Sequence, residues 1–394
     1  MAKEEERWRV TGILVAVLLA SISAGLIRPS LALLLKVNLQ ATVIAVSSLT
    51  SGFMAGRATM SLVAGFIGDV SPEKRRLLTI IPLLTASAVI YTATYSASSI
   101  ALILAMTLWG ALAGLTWPTA QTLIVDATRG KPGTFLSLYF ATGTLGVAVG
   151  GYLFGILPLS FYSMARIGTF LLALSGIILW TSSIGIAPSA GKRMKLRETT
   201  RILDRRVGWI LYSAFTAGFL TGLLREYFYV YVYEEFHIDK SGLGSLLAIG
   251  SIAALIGGLT VGPLSDRIGV PKTLVLTLIL ATIGGTLLSL DGLFIITALG
   301  FIFALTAGRS TLPLTRNAAL LGVGRGGSTM VGLSNTLSNL GNMVSPLIAG
   351  TIYTYNISIL GVKPGATTFF VATIMVILDV ILYIILFGER KSNP

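Results

Sequence analysis

The chain has no cysteine, a single histidine (His237) and two glutamines, and only 11% of its residues are charged. Without cysteine there is no disulfide, no thiolate metal site and no cysteine nucleophile, and one histidine cannot build a histidine-rich metal centre. No G-x-x-x-x-G-K-[ST] stretch occurs, so ATP is not expected as an energy source. A water-soluble domain carries charge on roughly a quarter of its residues. With 54% hydrophobic residues and a mean hydropathy of +0.84, the composition is instead that of a polytopic membrane protein. No enzymatic chemistry and no cofactor are expected.

Membrane crossing takes about 20 mostly apolar residues. Twelve such segments are legible, at 10–35, 41–68, 77–97, 99–125, 134–157, 164–186, 208–233, 243–265, 272–290, 293–320, 328–354 and 365–387. The longest polar interruption, Gly191 to Val207, sits at the midpoint of 394 residues. Sliding the second half back by 197 positions lays Gly222, Leu223 and Arg225 on Gly25, Leu26 and Arg28, and Gly262 and Asp266 on Gly65 and Asp69. The expected architecture is therefore all-α, two pseudo-symmetric bundles of six helices, 1–186 and 208–394, joined by a connector at 187–207. The apolar run from Val10 to Ala24 reads as part of the first span, because it continues to Leu35 and shares in the repeat.

The net charge of +13 has a topological reading. Positive loops stay in the cytoplasm. With the N-terminus inside, twenty Lys and Arg fall on the inner side and three, Lys36, Lys240 and Lys363, on the outer. Both termini and the connector are expected on the cytoplasmic face of the plasma membrane, with anionic lipid headgroups as neighbours. Nucleic acid is not needed to explain the charge.

Two loops carry a repeated pattern. After the second span stands Gly65-Phe-Ile-Gly-Asp69-Val-Ser-Pro-Glu-Lys74-Arg-Arg, and after the eighth Gly262-Pro-Leu-Ser-Asp266-Arg267-Ile-Gly269-Val-Pro-Lys272. Here the chain resembles the major facilitator superfamily, whose loop between helices two and three runs Gly-x-Leu-Ala-Asp-Arg-x-Gly-Arg-Lys. The second copy matches better, since Val70 and Pro72 replace the motif's Arg and Gly in the first. The resemblance implies alternating access by two bundles, helices 1, 4, 7 and 10 lining a cavity, and a gate at the inner end built from Asp69, Asp126, Asp266 and Arg267. Gly143-x-x-Gly146-Val-Ala-Val-Gly150-Gly151 in the fifth span is similar to the family's antiporter motif, with Val147 where its proline belongs.

Six basic residues lie within spans. Arg166 and Arg316 stand about a turn from a helix end and are expected to snorkel to the interface. Arg57 and Arg309 lie about 16 Å from the cytoplasmic side by helix rise, where a guanidinium costs roughly 2.5 to 3.5 kcal/mol unless it meets water or a partner. Arg28 and Arg225 occupy matching places nearer the outer boundary. With Asn335, Asn339 and Asn342, one stripe at i, i+4 and i+7, these four arginines are the candidate substrate-binding set. Glu226 is the candidate proton carrier, expected to meet an arginine of another helix. Asp379 is expected to serve packing or to touch lipid. The aromatic run Tyr227, Phe228, Tyr229, Tyr231 and Tyr233 reads as an interfacial belt.

An arginine-rich, carboxylate-poor cavity suits a small organic or phosphorylated anion, because the guanidinium fork matches carboxylate or phosphate. The expected function is secondary transport, proton-coupled, by a monomer. Proton-driven efflux of drug-like compounds is the alternative, and a non-transporting receptor or scaffold a third reading that leaves the internal repeat unexplained.

Overall fold

The computed structural model describes residues 2–70, 76–96, 98–128, 132–186, 205–290, 292–323 and 327–387. Among these residues there are thirteen α-helices and no strand, only an isolated bridge between Ile359 and Val362. The helices are α1 (Ala2–Leu33, continued by a π-helical turn Leu34–Asn38), α2 (Val43–Val70), α3 (Leu77–Ala93), α4 (Ser99–Ala127), α5 (Pro132–Ile156), α6 (Phe161–Ser182), α7 (Arg205–Leu223), α8 (Glu226–Glu235), α9 (Lys240–Ile268), α10 (Val270–Ser289), α11 (Phe294–Val323), α12 (Gly327–Thr354) and α13 (Pro364–Phe387). Counting α7 with α8, they are the twelve apolar segments of the sequence, with ends shifted by a few residues. Among the described residues eight helices are long and apolar enough to cross a membrane, and α7 with α8 makes a ninth. The apolar α3 is shorter, at 17 residues.

The repeat extends into the loops. Gln40 and His237, separated by 197 positions, both take a left-handed backbone, with φ of 49° and 50°. Five residues on from each, the next helix is capped in the same way. The Ala45 amide donates to Thr42 Oγ1 at 3.3 Å and the Gly242 amide to Asp239 Oδ1 at 2.8 Å. The only histidine is thus a turn residue.

Two compact units are formed, Met1–Arg193 with Val232–Ile252, and Met194–Tyr231 with Ala253–Pro394. The first takes in a segment, 232–252, that the sequence groups with the second bundle. Within that unit Lys240 Nζ donates to the carbonyl oxygens of Leu157 at 2.7 Å and Leu159 at 2.9 Å, just past the end of α5. A cation just past a helix C-terminus is favoured by the negative end of the helix dipole. Lys36 Nζ meets Glu234 Oε1 at 2.8 Å in the same unit. Lys36 and Lys240, expected simply in outer loops, are therefore both engaged.

Glycine sets the spacing of the first unit. Gly52 and Gly56 on α2, and Gly110 and Gly114 on α4, are two small-x-x-x-small pairs that bring the backbones together. A Cβ on Gly110 would collide with the Phe53 carbonyl, and one on Gly114 would stand 2.6 Å from that of Arg57. The glycines of α5 have the same use: a Cβ on Gly146 would lie 2.7 Å from the Leu18 oxygen of α1, and one on Gly150 2.9 Å from Gly25 Cα.

In the second unit Asp379 and the aromatic run are both packed inside. Of packing and lipid contact, the two roles expected for Asp379 on α13, the structure shows packing: it is 0% exposed, with Ser213 Oγ donating to Oδ1 and Thr216 Oγ1 to Oδ2, each at 2.8 Å. For the aromatic run, expected as a belt, this is a correction. Tyr227 and Phe228 are 0% and Tyr231 1% exposed. Phe228 stacks on Phe301 at 4.4 Å, and the Tyr227 hydroxyl donates to the Gly365 carbonyl at 2.7 Å. The break after α7 bends the chain by 44°, and beyond it the aromatic face of α8 packs onto α11 and α13.

The Asp379 cluster makes a stability prediction. Ser213 and Thr216 each also stand 3.1 Å from a carbonyl of their own helix, so each single hydroxyl hydrogen has two acceptors to choose between. Asp379→Asn keeps an acceptor for one hydroxyl and donates to the other, which turns back to its helix. It should alter stability by less than about 1 kcal/mol, whereas Ser213→Ala with Thr216→Val should cost about 3 kcal/mol by stranding the carboxyl group. Thermal unfolding of the purified variants checks this, and a double variant as stable as Asp379→Asn would refute it.

Candidate functional site

In the first unit the α2–α4 glycine contact positions two polar groups one helical turn apart. Phe53, 5% exposed and edge-on to Trp109 at 5.2 Å, carries the Arg28 guanidinium of α1 over its ring at 4.8 Å. A cation over an aromatic face gains about 0.5 to 2 kcal/mol, more as water is excluded, so Arg28 is held by α2 and does not simply reach for headgroups. One turn further along α2, Arg57 is half-buried, and its positive charge acts on the buried Tyr139 of α5, which also feels the Gln121 side chain of α4. Arg57, Tyr139 and Gln121 thus bring polar groups of three helices into one another's influence.

In the second unit the break at Leu224 and Arg225 is the central feature. Irregular backbone at membrane depth persists only where protein or a wet cavity covers it. Glu226, 0% exposed, is the first residue of α8, where its negative charge complements the helix N-terminus. Arg225 lies in the break itself and is half-buried. On α11, Gly308 abuts Thr221 of α7, and the next residue, Arg309, is exposed. It shares one stripe with Ile302, Thr306 and Pro313. Of the asparagine stripe on α12, Asn335 and Asn339 are half-buried. Asn342 is 3% exposed, seated against Gly222 of α7, with Nδ2 donating to the Ser338 carbonyl at 2.9 Å. The Oδ1 atoms of Asn335 and Asn342 are buried without a hydrogen-bond partner among the described residues.

The sequence profile of the Major Facilitator Superfamily matches residues 13–233 and 226–394. The chain belongs to the major facilitator superfamily. It is accordingly a multi-pass membrane protein of a transporter family. Similar solved structures include the nucleoside transporter NupG, 12% identical, with a TM-score of 0.72 over 97% of this chain and 100% of that one. A bacterial homologue of the human lysosomal transporter Spinster, inward-facing and occupied, is 13% identical with a TM-score of 0.74 over 98% of each chain. The human organic anion transporter MFSD10 (TETRAN) is 16% identical with a TM-score of 0.63 over 96% and 99%. At these identities the likeness is one of fold. No curated protein matches the chain.

Within this facilitator fold the expected inner-gate residues are only partly visible. Asp266 and Arg267, at the end of α9, are exposed, and Asp126, near the end of α4, is half-buried. The side chain of Asp69, the loop holding Lys74 and Arg75, the side chain of Arg316 and the connector up to residue 204 lie outside the described residues. Sequence reading missed Tyr139 and Gln121. A signal existed for the second, since one of only two glutamines stands inside an apolar helix; Tyr139 had none, because an aromatic residue in a span is ordinarily core.

Proposed function

We propose that the protein is a secondary active transporter that carries a small organic or phosphorylated anion across the plasma membrane by alternating access, coupled to protons. In this reading two six-helix bundles, 1–186 and 208–394, are joined by a cytoplasmic connector at 187–207, with both termini in the cytoplasm and the protein working as a monomer. Arg28 and Arg57 from one bundle and Arg225 and Arg309 from the other contact the substrate, aided by Asn335, Asn339 and Asn342. Glu226 carries the proton, and Asp69, Asp126, Asp266 and Arg267 form the inner gate.

The observation that carries this reading is the placement of Arg309. An arginine exposed near the middle of a spanning helix faces either lipid or a water-filled cavity, and the cost of a guanidinium in hydrocarbon selects the cavity. Such a group supports an anion, because guanidinium pairs with two oxygens of a carboxylate or phosphate at once. The drug-efflux alternative gains nothing from α5, whose glycines are accounted for by packing, Gly146 and Gly150 against α1 and Gly151 and Gly155 against α9.

Counterflow in proteoliposomes loaded with carboxylates, phosphate esters or organic cations tests the proposal. Uptake of an anion that competes with its unlabelled form is expected. Counterflow of cations alone would replace the reading with drug export, and flux of nothing in a panel covering both signs would leave a receptor or scaffold.

A further inference from the structure

Arg166 on α6 is expected from its place near a helix end to snorkel to the interface. Instead it is clamped. Its Nε donates to Thr94 Oγ1 at 3.1 Å, and its guanidinium carbon lies 3.8 Å from the centre of the Tyr95 ring. Both clamps are themselves fixed, since Thr94 Oγ1 donates to the Tyr91 carbonyl at 2.7 Å and the Tyr95 hydroxyl is bonded to that of Tyr91 at 2.9 Å. One edge and one face of the guanidinium are thereby committed. Among the described residues its two terminal amino groups have no protein hydrogen-bond partner.

Arg166 lines an open cavity of about 370 Å³ between the end of α3 and the start of α6. Every other residue lining it carries a hydroxyl group, and none is acidic. Tyr162 and Ser163 bring two of these hydroxyls from the first turn of α6, which Ser160 caps through the Ser163 amide at 3.2 Å. The helix N-terminus adds to the positive potential. Arg166 stands five residues into α6, on the order of 7 Å of helix rise, which is the depth at which hydrocarbon gives way to headgroups.

We propose that this cavity binds a phosphate group, held by the two terminal amino groups of Arg166 and by the hydroxyls of Tyr162 and Ser163. A guanidinium pre-set on one edge and one face loses little freedom on binding and offers two parallel donors; a phosphate has further oxygens to accept from the Tyr162 hydroxyl and from the Ser163 hydroxyl, which in its absence is bonded to Ser160 Oγ at 3.0 Å. The volume leaves room for a group attached to the phosphate. Two sources present that chemistry here: the headgroup of a phospholipid in the leaflet at this end of α6, the outer one in the orientation proposed above, or a phosphate ester from the adjacent aqueous phase. The site is separate from the arginines assigned to transport.

The test uses the full chain purified in detergent and stripped of lipid. In one arm phosphatidylglycerol is titrated and bound lipid counted by native mass spectrometry; in the other, inorganic phosphate and glycerol 3-phosphate are titrated and thermal stability followed. Wild type should bind in at least one arm. Arg166→Gln should weaken that binding at least tenfold, and Arg166→Lys, which keeps charge without the fork, should fall between. Tyr162→Phe, which removes only a hydroxyl and leaves the fold intact, should weaken it two- to fivefold. A loss confined to the lipid arm identifies a headgroup site, and a loss in the phosphate arm identifies a soluble ligand. Equal binding by wild type, Arg166→Gln and Tyr162→Phe in both arms would overturn the proposal and return Arg166 to an interfacial anchor.

Discussion

Arg309→Lys should need ten- to a hundredfold more anion for half-maximal counterflow, and Arg309→Ala should transport no measurable amount. Lysine keeps the positive charge but replaces two parallel donors in one plane by a single ammonium. The missing charge-assisted hydrogen bond corresponds to roughly 1.4 to 3 kcal/mol. Glu226 has a different expected signature. It is wholly buried at the first position of α8, and glutamine matches its shape while carrying no exchangeable charge. Glu226→Gln should therefore leave substrate exchange largely intact and abolish accumulation driven by a pH gradient. Wild-type affinity in Arg309→Ala would remove the binding role, and gradient-driven accumulation surviving in Glu226→Gln would remove the coupling role.

Gly155→Leu should lower turnover by more than tenfold while leaving equilibrium binding of substrate within a few fold of wild type. A Cβ on Gly155 would already stand 3.1 Å from Gly244 Cα and 3.2 Å from the Ser241 carbonyl, so a branched side chain must wedge α9 away from α5. The wedge also withdraws Lys240 from the carbonyls of Leu157 and Leu159, which lie next to Gly155 in the chain. Alternating access requires that one end of the path be shut before the other opens, and these contacts lie at the end of α5 assigned to the outside. Gly155→Ala, which adds one methyl group, should show a smaller effect of the same sign. Turnover unchanged in Gly155→Leu, with the variant folded and able to bind, would show that α5 and α9 need not approach.

The number and order of the helices were legible because a membrane leaves few choices: backbone polar groups must be bonded within the segment, so an apolar run of sufficient length becomes a helix. The repeat was legible for a related reason, equal lengths of chain performing equal crossings, and it reaches the paired turns at Gln40 and His237. What escaped the sequence was orientation about each helix axis. The aromatic run of α8 has the composition of an interfacial belt, yet tertiary packing buries most of it beyond a bend of 44° after Leu223, and Asp379 on α13 is buried by Ser213 and Thr216 of α7. The sequence could place Arg166 near a helix end but could not supply Thr94 and Tyr95, which come from 71 or more residues away.

The sequence by itself thus determined the solvent, the succession of helices and the pairing of the turns at Gln40 and His237, since these follow from local hydrophobicity and from the repeat. Only the tertiary structure decided which charges are clamped, buried or open. That outcome depends on close approaches such as Gly110 to Phe53 and Gly222 to Asn342, where the absence of a side chain on one helix sets what its neighbour can present.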